Sequence, residues 1–114
     1  MTLGEIAQLL GANVVCGEQF LGKEVEQAFA SDLMSDVLTI NSNKLLLITG
    51  LLNIQTIRTA EMSFAPAILF VRNKKVTGEM IRLAQENDLL LMEFPGTMFK
   101  ASGILYNAGI KPVY

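Results

Sequence analysis

Three apolar runs each end in a short polar turn, and the residues of these turns could bind an anion. Residues 45–48 lead into Thr49-Gly50, residues 67–71 into a basic turn, and residues 89–92 into a turn that contains Gly96-Thr97. Threonine hydroxyls, glycine backbone amides and lysine ammonium groups are donors that suit a phosphate or a carboxylate. The candidate ligand-binding residues are therefore Thr49, Gly50, Asn53, Lys74, Lys75, Gly96 and Thr97.

The same turns also have an explanation that involves no ligand. Thr77 and Thr97 each precede a predicted helix, where a threonine hydroxyl can cap the exposed amides. Gly50 and Gly96 are residue types that tight turns use in any α/β protein. Both interpretations stay open at the level of the sequence.

Reaction chemistry is not visible in the chain. It contains no histidine and a single cysteine, Cys16, so it lacks the usual base of a nucleophilic triad and the ligand set of a zinc site. Neither a Walker loop nor a dinucleotide-binding glycine motif occurs. We therefore predict a non-enzyme with no catalytic residues, no metal and no cofactor. Asp32 and Asp36 could form a carboxylate pair, but a helix cap and a solvated residue are favoured.

Composition limits the partners of the protein. Hydrophobic residues make up 51% of the chain and charged residues 18%, which indicates a sheet covered on both faces or a homodimer that hides apolar surface. The net charge of -2 argues against nucleic acid, which requires a basic face. No apolar run approaches the roughly 20 residues of a membrane span, and no secretory signal is evident. A cytoplasmic protein without membrane contact is expected.

The elements alternate between strands and helices. Thr2 and Glu5 form a capping box at the first helix, and Gly11 suits its end. Strands are predicted at residues 13–16, 24–30, 45–48, 67–71 and 89–93, with an edge strand at 111–113. Helices are predicted at residues 33–38, 53–63, 77–87 and 97–108.

This alternation predicts one α/β domain over residues 1–114. Strands separated by helices of about ten residues imply right-handed crossovers and a three-layer α/β/α arrangement with a mainly parallel central sheet. Ligands of such sheets lie beyond the carboxyl ends of the strands, where the three polar turns would converge.

A glycine and three aromatic residues near the carboxyl-terminal helix each have two interpretations. Gly103 costs about 1 kcal/mol relative to alanine in a helix interior, so it predicts a close contact, either of helix to sheet or of subunit to subunit. Phe94, Phe99 and Tyr106 could line a pocket mouth or a dimer face, and core packing is an equal alternative for Phe94 and Phe99.

Four short motifs are similar to a known module. They are residues 30–38 (Ala-Ser-Asp-Leu-Met-Ser-Asp-Val-Leu), of which 31–38 is the distinctive run, residues 48–50, residues 79–84 and residues 95–97. On these motifs the stretch 30–101 resembles the DRTGG domain, which is found alone, in some phosphotransacetylases and in regulated pyrophosphatases, and is related to the amino-terminal domain of HPr kinase. Leu51-Leu52 replaces an acidic-basic pair of that family, and Val71-Arg72-Asn73-Lys74 replaces its threonine-glycine-glycine turn.

The resemblance implies a dimeric three-layer domain with a regulatory rather than catalytic role. Our first hypothesis is a non-catalytic homodimer that serves the regulation or assembly of a partner protein. The alternative is a sensor that holds a small anionic ligand, such as a nucleotide, at the carboxyl ends of the strands.

Overall fold

The computed structural model describes residues 1–114 as an alternation of strands and helices. The strands are β1 (Asn13–Cys16), β2 (Gln27–Ala30), β3 (Leu45–Thr49), β4 (Ala67–Phe70), β5 (Leu90–Glu93) and β6 (Lys111–Pro112). The helices are α1 (Leu3–Leu10), α2 (Met34–Val37), α3 (Ile54–Met62), α4 (Gly78–Glu86) and α5 (Met98–Asn107), with a 3-10 turn at Glu18–Phe20. None of these helices has both the length and the apolar character needed to cross a membrane.

The six strands form one mixed sheet in the order β1-β5-β4-β3-β2-β6. Neighbours from β5 to β6 pair in parallel, and only β1 runs antiparallel to its neighbour β5. The predicted mainly parallel sheet is therefore confirmed. The second strand is shorter than the predicted 24–30, since pairing begins at Gln27.

Local signals explain where the helices begin and end. Thr2 and Glu5 form the predicted capping box at α1, and Gly11 ends that helix in the left-handed conformation with a φ of 65°. Gly109 ends α5 in the same region of φ, at 104°. These residue types let the chain reverse direction at little conformational cost.

Helices cover both faces of the sheet, as the three-layer prediction requires. Side chains of a strand alternate between faces, so Leu46 and Ile48 of β3 pack in one core with α1 and α5. Leu45 and Leu47 of the same strand pack in a second core with α2, α3 and α4. The free thiol Cys16 is buried in this second core, where desolvation raises its pKa.

Both edges of the sheet are irregular. The pairing of β1 with β5 shifts register between Val14 and Cys16, which marks a bulge. At the opposite edge β6 has only two residues, and one of them is Pro112. The prediction that residues 111–113 add an edge strand is confirmed for Lys111–Pro112.

Helix α3 carries three buried hydroxyls. Thr56 Oγ1 donates to the Leu51 carbonyl at 2.8 Å, and Ser63 Oγ donates to the Val37 carbonyl at 3.0 Å. Thr59 Oγ1 is buried and has no hydrogen-bond partner. A buried polar group without a partner costs about 1–3 kcal/mol.

Replacing Thr59 with valine should therefore raise the free energy of unfolding by about 1 kcal/mol, because the change removes an unpaired hydroxyl and keeps the branched shape. Urea denaturation of the purified protein measures this. Thr56→Val is the matched control and should lower stability by about 1 kcal/mol, since its hydroxyl is bonded. A loss of stability in Thr59→Val equal to that in Thr56→Val would contradict the prediction.

Candidate functional site

The parallel pairing brings the loops that follow β2, β3, β4 and β5 to the same edge of the sheet, the one formed by the carboxyl ends of these strands. The loop after β4 leads to α4 on one face, and the loop after β5 leads to α5 on the opposite face. Connections that diverge in this way open a crevice at the strand ends, which is where ligands of doubly wound sheets bind. The polar turns predicted to converge do meet here.

A carboxylate, a hydroxyl and a backbone amide form the centre of this edge. Asp32 Oδ1 accepts a hydrogen bond from the Gly50 amide at 2.7 Å and another from Thr49 Oγ1 at 3.0 Å. Thr49 Oγ1 in turn accepts from the Leu51 amide at 3.1 Å. The prediction that Asp32 caps α2 is wrong, since the cap position is Leu33 and has no side-chain hydrogen bond. Asp36 is exposed.

The surroundings of Asp32 stabilise its charged form. The hydrogen bond from the Gly50 amide is the main factor that lowers the pKa of Asp32, and partial desolvation opposes it. The Thr49 hydroxyl and the positive charges of Arg72 and Lys74 lower that pKa further. The carboxylate is therefore held as an anion at neutral pH.

Two cations close over Gly50 from the loop after β4. Lys74 Nζ donates to the Gly50 carbonyl. The Arg72 guanidinium lies so close to the same residue that a Cβ at position 50 would sit 3.0 Å from its Nη2 atom. Glycine at position 50 thus permits a close approach of the arginine, in addition to forming a turn.

Backbone hydrogen bonds tie the loops of this edge together. The Arg72 amide donates to the Gly96 carbonyl at 2.7 Å, and the Asn73 amide donates to the Phe94 carbonyl at 3.1 Å. A Cβ at Gly96 would lie 2.6 Å from the Phe94 ring, so only glycine fits there. Phe94 itself packs in the core. Five surface cavities of about 160–470 Å³ are lined by residues other than these.

A second carboxylate, that of Glu93, anchors the start of α4. It accepts from the Val76 amide at 2.7 Å and from Asn13 Nδ2 at 3.2 Å. Lys75 Nζ lies 3.9 Å from the same carboxylate, and the Lys75 side chain is largely exposed. No group of three or more histidine, cysteine or acidic residues in the chain is placed to hold a metal ion.

The predicted ligand residues therefore divide into two sets. Thr49, Gly50 and Lys74 come together, and Gly96 joins them through Arg72. The other three point elsewhere: Lys75 faces Glu93, while Asn53 and Thr97 cap α3 and α5. Thr77 likewise caps α4, so the capping alternative is confirmed for both threonines.

The fold of this protein is similar to that of a solved structure. The structure is similar to the crystal structure of the CBS and DRTGG domains of the regulatory region of Clostridium perfringens pyrophosphatase, complexed with the activator diadenosine tetraphosphate. The TM-score is 0.73 and the sequence identity 19%, over 98% of this chain. The fold is DRTGG-like. This chain covers 48% of that chain, about half its length.

Sequence comparisons add no further relative. No protein-family model matches the chain. No curated protein matches it significantly.

The turn after β4 holds two residues other than glycine in a conformation that glycine adopts most easily. Arg72 has a φ of 65° and Asn73 a φ of 60°, which is the left-handed region that glycine enters freely. Asparagine tolerates this conformation, but for arginine it costs about 1–2 kcal/mol. Strained residues cluster at functional sites. The turn after β4 therefore holds the Arg72 side chain at this edge of the sheet at a conformational cost.

Two residues of this edge escaped the sequence-based candidates. Asp32 lies in the distinctive motif at residues 31–38, but its partners are 17 and 18 residues further along the chain. Arg72 belongs to the basic turn, and its charge beside Lys74 and Lys75 was the available signal.

Backbone strain at position 72 can be measured with a pair of variants. Arg72→Gly and Arg72→Ala both remove the guanidinium, but only glycine relaxes a φ of 65°. We expect Arg72→Gly to exceed Arg72→Ala in free energy of unfolding by about 1 kcal/mol. Equal stabilities in urea denaturation would show that the turn is not strained at this residue.

Proposed function

We propose that the protein is a non-catalytic regulatory or assembly module that acts as a homodimer. The observation that carries this proposal is the outer face of α5, where Phe99 is 88% exposed and Tyr106 is 68% exposed. The similarity of the fold to domains of a pyrophosphatase regulatory region supports the regulatory part of the proposal. The same similarity supports a non-catalytic role, because the matched domains belong to a regulatory region.

The face of α5 that contains these aromatic residues differs from the outer faces of the other helices. Phe99, Ser102, Gly103 and Tyr106 are uncharged, whereas the exposed face of α4 carries Glu79, Arg82 and Glu86. The charged neighbour of this face is Lys100, which is exposed and follows Phe99, and exposed aromatic residues on a largely uncharged surface are typical of interaction surfaces.

Gly103 supports contact with another subunit. The sequence predicted a close contact at this residue, either within the chain or between chains, but a Cβ at position 103 would meet no atom within 4 Å. The interpretation as a helix-to-sheet contact is therefore wrong. A glycine that the monomer does not need, at a cost of about 1 kcal/mol in helix propensity, is explained by a second helix that approaches closely.

The spacing along α5 is symmetric about a point between Ser102 and Gly103. Phe99 and Tyr106 lie three residues beyond this pair on either side. If two copies of α5 pack antiparallel about a two-fold axis at this point, Phe99 meets Tyr106 of the second copy, and the small residues meet at the axis. A two-fold interface needs such self-complementarity.

An apolar groove continues this surface. A cavity of about 190 Å³ beside Tyr106 is lined mainly by apolar residues from β2, β3, α5 and the carboxyl-terminal segment: Ala28, Ala30, Ile48, Leu105, Ile110 and Pro112. Four aromatic side chains from two copies supply on the order of 600 Å² of buried area, and stable interfaces bury about 1,200–2,000 Å². The groove provides the adjoining surface that a dimer requires.

Phe99→Glu should weaken self-association at least tenfold, because it places a charge in an apolar contact. This factor corresponds to about 1.4 kcal/mol. Sedimentation velocity over a range of micromolar concentrations measures it. Met62→Glu, at a methionine that is also half exposed but lies on α3, is the matched control and should leave the association unchanged.

Gly103→Ala distinguishes an effect on the proposed contact between subunits from an effect on the stability of α5 itself. It should raise the free energy of unfolding of the monomer by up to about 1 kcal/mol and still weaken the dimer. A wild-type protein that sediments as a monomer at all these concentrations, or a Phe99→Glu variant that dimerises normally, would contradict the homodimer.

A second candidate function is a sensor of a small anionic ligand, such as a nucleotide. The arrangement that favours it is the set of donors around Gly50: the Thr49 hydroxyl, the Arg72 guanidinium and the Lys74 ammonium group. The similar solved structure was obtained in complex with diadenosine tetraphosphate, which supports a phosphate-bearing ligand. The protein would then combine ligand sensing with a regulatory role.

A thermal-shift titration with inorganic tripolyphosphate and with ATP tests the sensor. A ligand present at 100 times its dissociation constant should stabilise the protein by about 2.7 kcal/mol. The double variant Arg72→Ala, Lys74→Ala should lose the shift, whereas Lys23→Ala, outside this edge of the sheet, should retain it. If neither compound raises the melting temperature of the wild-type protein, the sensor is contradicted and the homodimer is not affected.

A further inference from the structure

The carboxylate of Asp32 occupies the position in which an external anion would be bound. It accepts from the Gly50 amide at 2.7 Å and from the Thr49 hydroxyl at 3.0 Å. Thr49 is fully buried at the end of β3, and the Leu51 amide donates to its Oγ1 at 3.1 Å, so the position of this oxygen does not depend on Asp32. These two donors therefore exist independently of the loop that contains Asp32.

Positive charges outnumber negative charges around the Asp32 carboxylate. Arg72 and Lys74 both lower the pKa of Asp32 by their charge, yet no ion pair within 4.0 Å joins Asp32 to either of them. Two cations thus face one carboxylate that neither of them contacts directly. A phosphate carries up to two negative charges and more acceptor oxygens than a carboxylate, so it matches this set of donors better than Asp32 does.

We infer that Asp32 is an internal competitor for a phosphate-binding site formed by Thr49, Gly50, Arg72 and Lys74. This inference rests on the second candidate function, the anion sensor. A phosphate group that binds the Gly50 amide and the Thr49 hydroxyl displaces the Asp32 carboxylate, and the two cations turn toward the incoming phosphate. The ligand class is any compound that carries a terminal phosphate.

Displacement of Asp32 has a consequence for the segment that follows it. Asp32 lies between β2 and α2, and α2 is a one-turn helix without a side-chain cap. Leu33 is 58% exposed and Leu38 is 49% exposed at its two ends. Without the two hydrogen bonds from Thr49 and Gly50, the Asp32 side chain no longer ties this segment to the end of β3, and the bond from the Ser31 amide to the Ile48 carbonyl is the one that remains to that strand. Phosphate binding is thereby transmitted to an apolar surface segment.

Asp32→Asn tests the competition by calorimetric titration with inorganic pyrophosphate. The variant should bind pyrophosphate about tenfold more tightly than the wild type, the factor that a single charged contact commonly supplies. Asp36→Asn is the matched control, because Asp36 lies on the same segment and is exposed. It removes the same charge and should change the affinity less than twofold.

A parallel titration with ATP identifies the source of the phosphate. A tenfold gain of Asp32→Asn with both compounds supports recognition of the phosphate alone, and a gain confined to ATP supports a phosphate carried by a nucleotide. Unchanged or weaker binding in Asp32→Asn, or an equal gain in Asp36→Asn, overturns the inference. If the wild type shows a pyrophosphate shift that requires Arg72 and Lys74 but Asp32→Asn gains nothing, the sensor stands and the competition fails.

Hydrogen exchange of the wild-type protein gives an answer even if Asp32→Asn does not fold. Saturating pyrophosphate should accelerate exchange in residues 31–38, whereas the Gly50 amide, which is hydrogen-bonded in both states, should remain protected. Unchanged or slower exchange in those residues overturns the inference.

Discussion

Every residue of β3, β4 and β5 is buried, and the rest of the structure depends on this burial. A strand that is buried on both faces needs helices on both sides, because each face carries apolar side chains. Parallel pairing of these strands then forces each connection to cross back over a face, so the polar residues that follow β2 to β5 collect along one edge. The positions of Asp32, Thr49, Arg72 and Gly96 are consequences of this arrangement.

The sequence predicted the strand-helix units well because their signals are local. Thr2, Asn53, Thr77 and Thr97 each accept a hydrogen bond from an amide three residues further on, a spacing that can be read directly from the chain. Asp32 was misassigned for the complementary reason. Aspartate is equally suited to a local cap and to a distant amide, and only the register of β2 against β3 decides between them.

Other features depend on conformation that residue type does not reveal. Arginine gives no sign that it adopts a φ of 65°, so the strain at Arg72 could not be predicted. Glycine at position 103 did indicate a special contact, but whether its partner lay within the chain required the coordinates. Phe99 and Tyr106 carried the same ambiguity, since an aromatic residue on an amphipathic helix fits a core and an interface equally well.

The two candidate surfaces of the protein are linked through adjacent loops. The Arg72 amide is bonded to the Gly96 carbonyl, and the next residue, Thr97, caps α5. The donors around Gly50 and the start of α5 are therefore connected through one backbone hydrogen bond between loops and one helix cap. A change at the edge of the sheet has a direct structural route to the helix proposed to form the dimer.

The outer strands of the sheet, β1 and β6, are irregular, and this restricts how the protein can aggregate or recruit a partner. A regular edge strand is a template for another strand, and repeated addition leads to fibres. The bulge in β1 and the proline in β6 remove this template on both sides, because neither edge can supply an unbroken ladder of hydrogen bonds. Growth by strand addition is therefore disfavoured at each outer strand of the sheet, which leaves the helical layers as the surfaces open to a partner.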